Sequence, residues 1–190
     1  MNVQRQWDEP HQVKLTIKDY LRLDEAGAFR DYAKTELVEG VIVALNSQFM
    51  PHAMFQSGLF RRLADAVEAC MPGYAAVVEA SVDIPPRNMP QPDILVTNFI
   101  PTERVAAPVA SIALIVEISD TTARFDLGKK ARIYAAAGVP EYWVAELSTR
   151  TMHQFSAPSA KGYGDQREVA LGERIESVTI PGLAVDTVGL

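Results

Sequence analysis

Apolar positions along this chain recur with two different periods, and the places where the period changes mark the predicted elements. Thr16 to about Ala28 reads as a helix. Thr16 is an N-cap with Asp19 three residues on, Tyr20, Leu21 and Leu23 give a short apolar face, and Gly27 ends it. Glu36 to Asn46 reads as two short strands, Leu37-Val38 and Val41-Ile42-Val43, around Glu39-Gly40. Pro51 opens a long helix to about Met71. Phe55, Leu59, Leu63, Ala66, Val67 and Cys70 recur on it at helical spacing before Pro72-Gly73 stops it. Strands are predicted at Ala75 to Ile84, Asp93 to Thr97 and Ile112 to Ile118. A helix after Thr121-Thr122 then runs to about Ala137, with Gly138 as its C-terminal signal. Glu141 to Leu147 and Thr151 to Phe155 read as a hairpin, and short strands near Arg167 to Leu171 and Ala184 to Val188 close the chain. Strands and helices around a central apolar run predict an α/β fold, a mixed sheet with helices on its faces.

Length and composition turn this into one expected domain over 1–190, with 1–15 as an N-terminal extension. A chain of 190 residues that is 48% hydrophobic can bury a sizeable core. The longest strongly apolar stretch, Ile112 to Ile118, is too short to span a bilayer and carries a carboxylate. Met1 to Pro10 is polar and has no signal-like region, and the one cysteine, Cys70, suits a reducing compartment. The expectation is a soluble, cytoplasmic protein without a membrane partner.

Charge complicates any reading as a nucleic-acid enzyme. The net charge is −6, and the densest basic clusters are only Arg61-Arg62 and Arg124 through Arg132. Proteins that hold nucleic acid through phosphates usually present a basic surface. A bound divalent cation inverts the local charge at a cluster of carboxylates and supplies part of the answer.

The chemistry points to carboxylates. Glu117 lies inside the apolar run Ile112-Ala-Leu-Ile-Val-Glu-Ile118, which reads as a strand covered on both faces. A carboxylate there is costly unless paired, protonated or bound to a cation; the plain alternative is an exposed strand end or an arginine partner. Asp93 opens its strand behind Pro90-Gln-Pro92. It could cap backbone amides, or it could converge with Glu117 on one cation, because Mg²⁺ and Mn²⁺ favour oxygen ligands. Lys130 shares a helix face with Leu127, Ala131 and Tyr134, while Lys129 points away. It could therefore reach the Glu117 strand, or form a surface pair with Asp126. Glu36 is a further candidate, although a glutamate preceding a strand is usually exposed. His52 falls on the apolar stripe of the long helix, as a core histidine or as a phosphate contact at a helix N-terminus. A glycine-rich phosphate loop, a Cys/His zinc cluster and a nucleophile elbow are all missing from the sequence.

Several motifs occur together in order. They are Glu36-Leu-Val-Glu-Gly40, Ser47 through His52, Pro92-Asp-Ile-Leu-Val96, Ile115-Val-Glu-Ile-Ser119, Asp126-Leu-Gly-Lys-Lys130, Tyr134-Ala-Ala-Ala-Gly-Val139 and Glu141-Tyr-Trp-Val144. Together they resemble the Uma-type restriction endonuclease family, within the PD-(D/E)XK nuclease superfamily. The resemblance runs from about Tyr20 to Pro181-Gly-Leu183. It implies a restriction-endonuclease-like core and a divalent metal site. Asp93 and Glu117 match the two acidic metal ligands. The superfamily's usual lysine, two positions after the second acid, is here Ser119, and Lys130 on the next helix is the matching lysine. Glu36 matches an upstream acidic position and His52 a recurrent histidine.

The implied activity is Mg²⁺- or Mn²⁺-dependent hydrolysis of phosphodiester bonds in DNA. Asp93, Glu117 and Lys130 are the catalytic set, Glu36, His52 and Ser119 are accessory, and a homodimer is expected by analogy. The alternatives are a nuclease fold turned to nucleic-acid binding or scaffolding, and a plain interaction protein. Tyr142 and Trp143 alternate on a strand, and one of their faces is expected to pack on the core.

Overall fold

A computed structural model describes residues 12–46 and 48–190. The polar stretch Met1–Pro10 and Ser47, which opens one of the motifs, lie outside the described residues. The first helix, α1 (Ile17–Glu25), starts on the predicted cap. Thr16 Oγ1 accepts from the Asp19 amide at 3.2 Å, and Asp19 Oδ2 accepts from the Thr16 amide at 3.0 Å, a reciprocal capping box. It ends about a turn earlier than expected because the chain turns through Gly27 at φ 78°. Its apolar face is also narrower than predicted. Tyr20 alone is buried and donates its hydroxyl to the Thr35 carbonyl at 2.8 Å, while Leu21 and Leu23 face solvent.

β1 (Lys34–Val38) and β2 (Val41–Leu45) pair antiparallel. Glu39 and Gly40 both take positive φ, 51° and 74°, as a two-residue hairpin of matching twist requires. Gly40 has a second reason to be glycine: a Cβ there would lie 2.9 Å from the Leu15 carbonyl oxygen. The Leu15 amide donates to Gly40 O, so the last residue of the expected extension is tied to this turn.

α2 (Met50–Cys70) covers one face of a six-stranded sheet. The strands are β3 (Ala75–Val78), β5 (Ile94–Thr97), β7 (Ile112–Ser119), β8 (Glu141–Glu146), β9 (Thr151–Ser159) and β10 (Gly162–Ala170), in the order β10-β9-β8-β7-β5-β3. Only β7 and β8 run parallel. That pairing needs a crossover, supplied by a helical segment: a π-turn over Phe125–Lys130 continues into α3 (Ala131–Ala136) on the opposite face of the sheet. Ile94, Leu114, Val116 and Trp143 face α2, while Leu95, Ile115, Tyr142 and Val144 face α3. Both Tyr142 and Trp143 are fully buried, one on each side, so the sheet is covered twice rather than once.

Two strand expectations need correction, and one strand was not expected. The stretch 75–84 is not one strand, because the chain leaves the sheet at Glu79 with φ 51°. Its end, β4 (Val82–Asp83), pairs parallel with β6 (Ala107–Pro108) in a separate ribbon. The hairpin expected between Glu141 to Leu147 and Thr151 to Phe155 forms as β8–β9, but β9 and the short strand expected near Arg167 to Leu171 are both longer and pair as a second hairpin, because polar residues fill most of β10. β11 (Arg174–Glu176), with Ile175 as its only apolar residue, pairs with β12 (Ala184–Asp186) and gave no sequence signal. Among the described residues no helix is long and apolar enough to cross a membrane.

Candidate functional site

Strand register brings the two acids together. β5 and β7 are antiparallel with Ile94 opposite Val116, so one further step sets Asp93 beside Glu117. A bond across the strands fixes this: the Ile118 amide donates to Asp93 Oδ2 at 2.7 Å. From α2, Gln56 donates to the Asp93 carbonyl at 3.1 Å, and His52 Nε2 stands 3.3 Å from Asp93 Oδ1 without hydrogen-bond alignment. Gln48 completes the shell, donating to Oδ1 at 2.9 Å. His52 is therefore neither a plain core residue nor, in this arrangement, pointed at solvent. It lies against the acid.

Glu117 projects from β7 towards the crossover helix, and Lys130 meets it. Lys130 Nζ lies 2.9 Å from Glu117 Oε1, 3.2 Å from each Glu36 carboxylate oxygen and 4.0 Å from Asp126 Oδ1. The surface-pair reading of Asp126 and Lys130 is corrected here: both are buried. The π-turn widens the helix at this point and holds both side chains inward, and such bulges are common at functional sites. Lys129 turns outward as predicted, to Glu39 at 3.3 Å. Glu36 is not a strand-preceding exposed residue but sits in the middle of β1, fully buried, with the Gln91 amide on its Oε1 at 3.0 Å.

Ser119, at the superfamily's lysine position, donates to Asp126 Oδ2 at 2.8 Å, as does Thr122 at 2.5 Å. It positions an acid and does not replace a lysine. Tyr134, one turn after Lys130, donates its hydroxyl to Glu117 Oε1 at 3.0 Å. Sequence reasoning did not include Asp126 and Tyr134 in the site. Their spacing of four residues before and after Lys130 was the available signal.

Electrostatics differ sharply between the two acids. Burial pushes Glu117 up to about 8; Lys130 opposes the shift, while Asp126, Asp93 and Glu36 add to it. Burial also raises Asp126, against Lys130, Thr122 and Ser119. Asp93 moves the other way: burial alone would raise it, but His52 and the Ile118 amide hold it below the usual carboxylate range. Lys130 is raised, because the three surrounding carboxylates outweigh its burial.

The cluster forms one wall of a cleft of about 1180 Å³, in which Asp93, Glu117, Asp126, Lys130 and His52 all line the surface. All-oxygen donors suit a hard divalent cation, and Mg²⁺ commonly takes one or two carboxylates and completes its shell with water and phosphate. Glu36 Oε2 is buried without an aligned donor, so the site holds unused acceptor capacity. Among the described residues no three His, Cys, Asp or Glu side chains form a metal-holding group. The donor set thus fits a cation held by two acids and external ligands, not a closed protein cage.

A mixed sheet with acids abreast on neighbouring strands and a buried lysine from the following helix describes a nuclease-type core. The chain belongs to the Uma2 family, described as "Putative restriction endonuclease", which matches residues 17–188. The fold is shared with a solved structure described as a putative nuclease belonging to DUF820, from Anabaena variabilis ATCC 29413. That likeness has a TM-score of 0.65 at 17% identity, over 86% of this chain and 89% of that one. No curated protein matches the chain.

Proposed function

We propose that this protein is a Mg²⁺- or Mn²⁺-dependent endonuclease that hydrolyses phosphodiester bonds of DNA. Asp93 and Glu117 are its metal ligands and Lys130 its catalytic cation. The observation that carries this reading is the β5–β7 register, which sets two acids abreast with the Lys130 ammonium 2.9 Å from one of them. A bound cation of this kind supplies polarisation of the scissile phosphate and a lowered pKa for its water. The residues of the chain do the rest. His52, Gln48 and the Ile118 amide keep Asp93 ionised and aimed. Lys130 supplies fixed positive charge where phosphate oxygens become more negative, and Glu36 holds it there. Tyr134 fixes the rotamer of Glu117.

One observation favours the second reading, a nuclease fold used only for binding: both Asp93 oxygens are already engaged by protein groups. Calorimetric titration of Mn²⁺ into the wild type and into folded Asp93→Ala and Glu117→Ala variants separates the two, alongside a plasmid-nicking assay. Endonuclease function predicts binding and nicking that both variants lose. Identical negligible heats in all three proteins, with no nicking, would leave the binding reading standing.

A further inference from the structure

The cleft is poorly built for phosphates along most of its wall. Among the described residues, eight of its lining side chains are carboxylates and three, Lys34, Arg104 and Lys130, are cationic. Of these, Lys130 is consumed by Glu36 and Glu117, and Arg104 lies 3.8 Å from Asp24. A polynucleotide entering here gains little from charge neutralisation beyond the reacting phosphate, so its binding energy must come from elsewhere.

Aromatic side chains offer another source. Phe49 and Tyr32 line the same cleft with 73% and 56% of their surfaces exposed. Phe49 is the N-cap of α2 and makes no side-chain cap bond, at a position where Ser, Thr, Asp or Asn is favoured. Local sequence thus breaks a folding preference to hold a phenyl ring in water, and such violations concentrate at functional positions. The ring is next to Gln48, which bonds Asp93, and three residues before His52. Its chain neighbours thus touch Asp93, and it lines the same cleft as the acid pair.

We infer that Phe49, with Tyr32, is a stacking platform for unpaired nucleotides, so that the site takes single-stranded DNA or a melted stretch of duplex in preference to intact duplex. Bases within a duplex already stack on their neighbours and have no free face to offer, whereas every unpaired base has one. The inference rests on the proposed nuclease reading for the presence of DNA in this cleft.

The test is fluorescence anisotropy with labelled oligothymidylate and with a duplex of equal length, in EDTA so that nothing is cut. The proteins are the wild type, Phe49→Ala, Phe49→Trp and Ile100→Ala, an exposed apolar residue outside the cleft lining. Binding to the single strand is expected to be about tenfold or more tighter than to duplex, to fall about tenfold in Phe49→Ala, and to recover in Phe49→Trp. Ile100→Ala should retain it. Equal affinity for both DNAs, or an unchanged Phe49→Ala, overturns the platform. So does a change of oligomeric state in Phe49→Ala, which would assign the ring to a second copy of the chain. The two readings fail separately. Cleavage that needs Asp93 and Glu117 but ignores Phe49 defeats the platform alone. Phe49-dependent single-strand binding without metal-dependent cleavage defeats the nuclease reading alone.

Discussion

Two glutamates on neighbouring parallel strands are buried to nearly the same degree and handled in opposite ways. Glu141, at the start of β8, faces α2 and is fully buried. It accepts from Trp143 Nε1 at 2.6 Å, from Ser177 Oγ at 2.6 Å, from the Thr179 amide and hydroxyl at 2.9 and 2.7 Å, and from the Val178 amide. Every donor is neutral and comes from the fold itself, so the carboxylate staples the 177–179 loop to the sheet and has nothing left to offer. Glu117, near the end of β7, faces the crossover helix and shares one ammonium with Glu36 and Asp126. Burial therefore does not distinguish a carboxylate whose charge is complete from one that shares its cation with other acids. The nature of the partners does: aligned neutral donors complete a charge, whereas several acids around one cation leave a surplus that a second cation can satisfy.

The contrast is broken most strongly at Lys130. Lys130→Met leaves three buried carboxylates without their cation and should destabilise the protein by about 3–5 kcal/mol at neutral pH. Urea denaturation with an unchanged m-value reads this directly. Wild-type stability in that variant would mean that water, not Lys130, solvates the cluster. Glu141→Gln is the matched control. Its amide NH₂ would face donors at Ser177 and Thr179, at a cost of about 2–3 kcal/mol. Mn²⁺ binding should be untouched, and a loss of it there would erase the distinction between the two glutamates.

Asp93 falls between the two types: neutral donors reach both its oxygens, Gln48 at Oδ1 and the Ile118 amide at Oδ2, and His52 stands beside Oδ1 as well. Partners that orient a ligand commonly matter about 10- to 100-fold in metal affinity. His52→Ala should therefore weaken Mn²⁺ binding about tenfold while leaving the fold cooperative, as calorimetry and thermal unfolding would show. An unchanged affinity would return His52 to the role of a core residue.

How much of this was legible beforehand follows from the range of each interaction. The Thr16–Asp19 cap, the Glu39-Gly40 turn and the α2 stripe depend on residues within a few positions of each other, and the sequence displayed them. Asp93, Glu117 and Lys130 were readable as a set because charges at apolar positions stand out and because the motifs resembled a known family. Glu36 was left open between a site residue and an exposed one, because the cation that compensates its burial, Lys130, is ninety-four residues away. The inward turn of Asp126 depends on a π-turn that a 100° step does not anticipate. β11 and the polar half of the β9–β10 hairpin are held by pairing with distant strands, not by their own apolar content. The acid nest at Glu141 needs the 177–179 loop, which carries no pattern of its own.

The smallest expected effect is a slope, and it tests the surplus at Glu117 most directly. Burial raises this carboxyl from 4.5 to about 8 in the folded protein. The folded state then holds the proton more tightly than the unfolded chain does. The stabilisation from that proton is complete below about pH 4.5 and is lost as pH rises through about 8. Folding stability should accordingly decline across that interval, by at most about 1.4 kcal/mol per pH unit for one proton. Mn²⁺ affinity should rise over the same range, because the metal takes the deprotonated form. Glu117→Gln cannot titrate, so its stability should stay flatter with pH than that of the wild type. Denaturation curves at several pH values compare the two proteins. If the slopes coincide, the cluster around Lys130 is electrostatically settled, and Glu117 is a second Glu141 rather than its opposite.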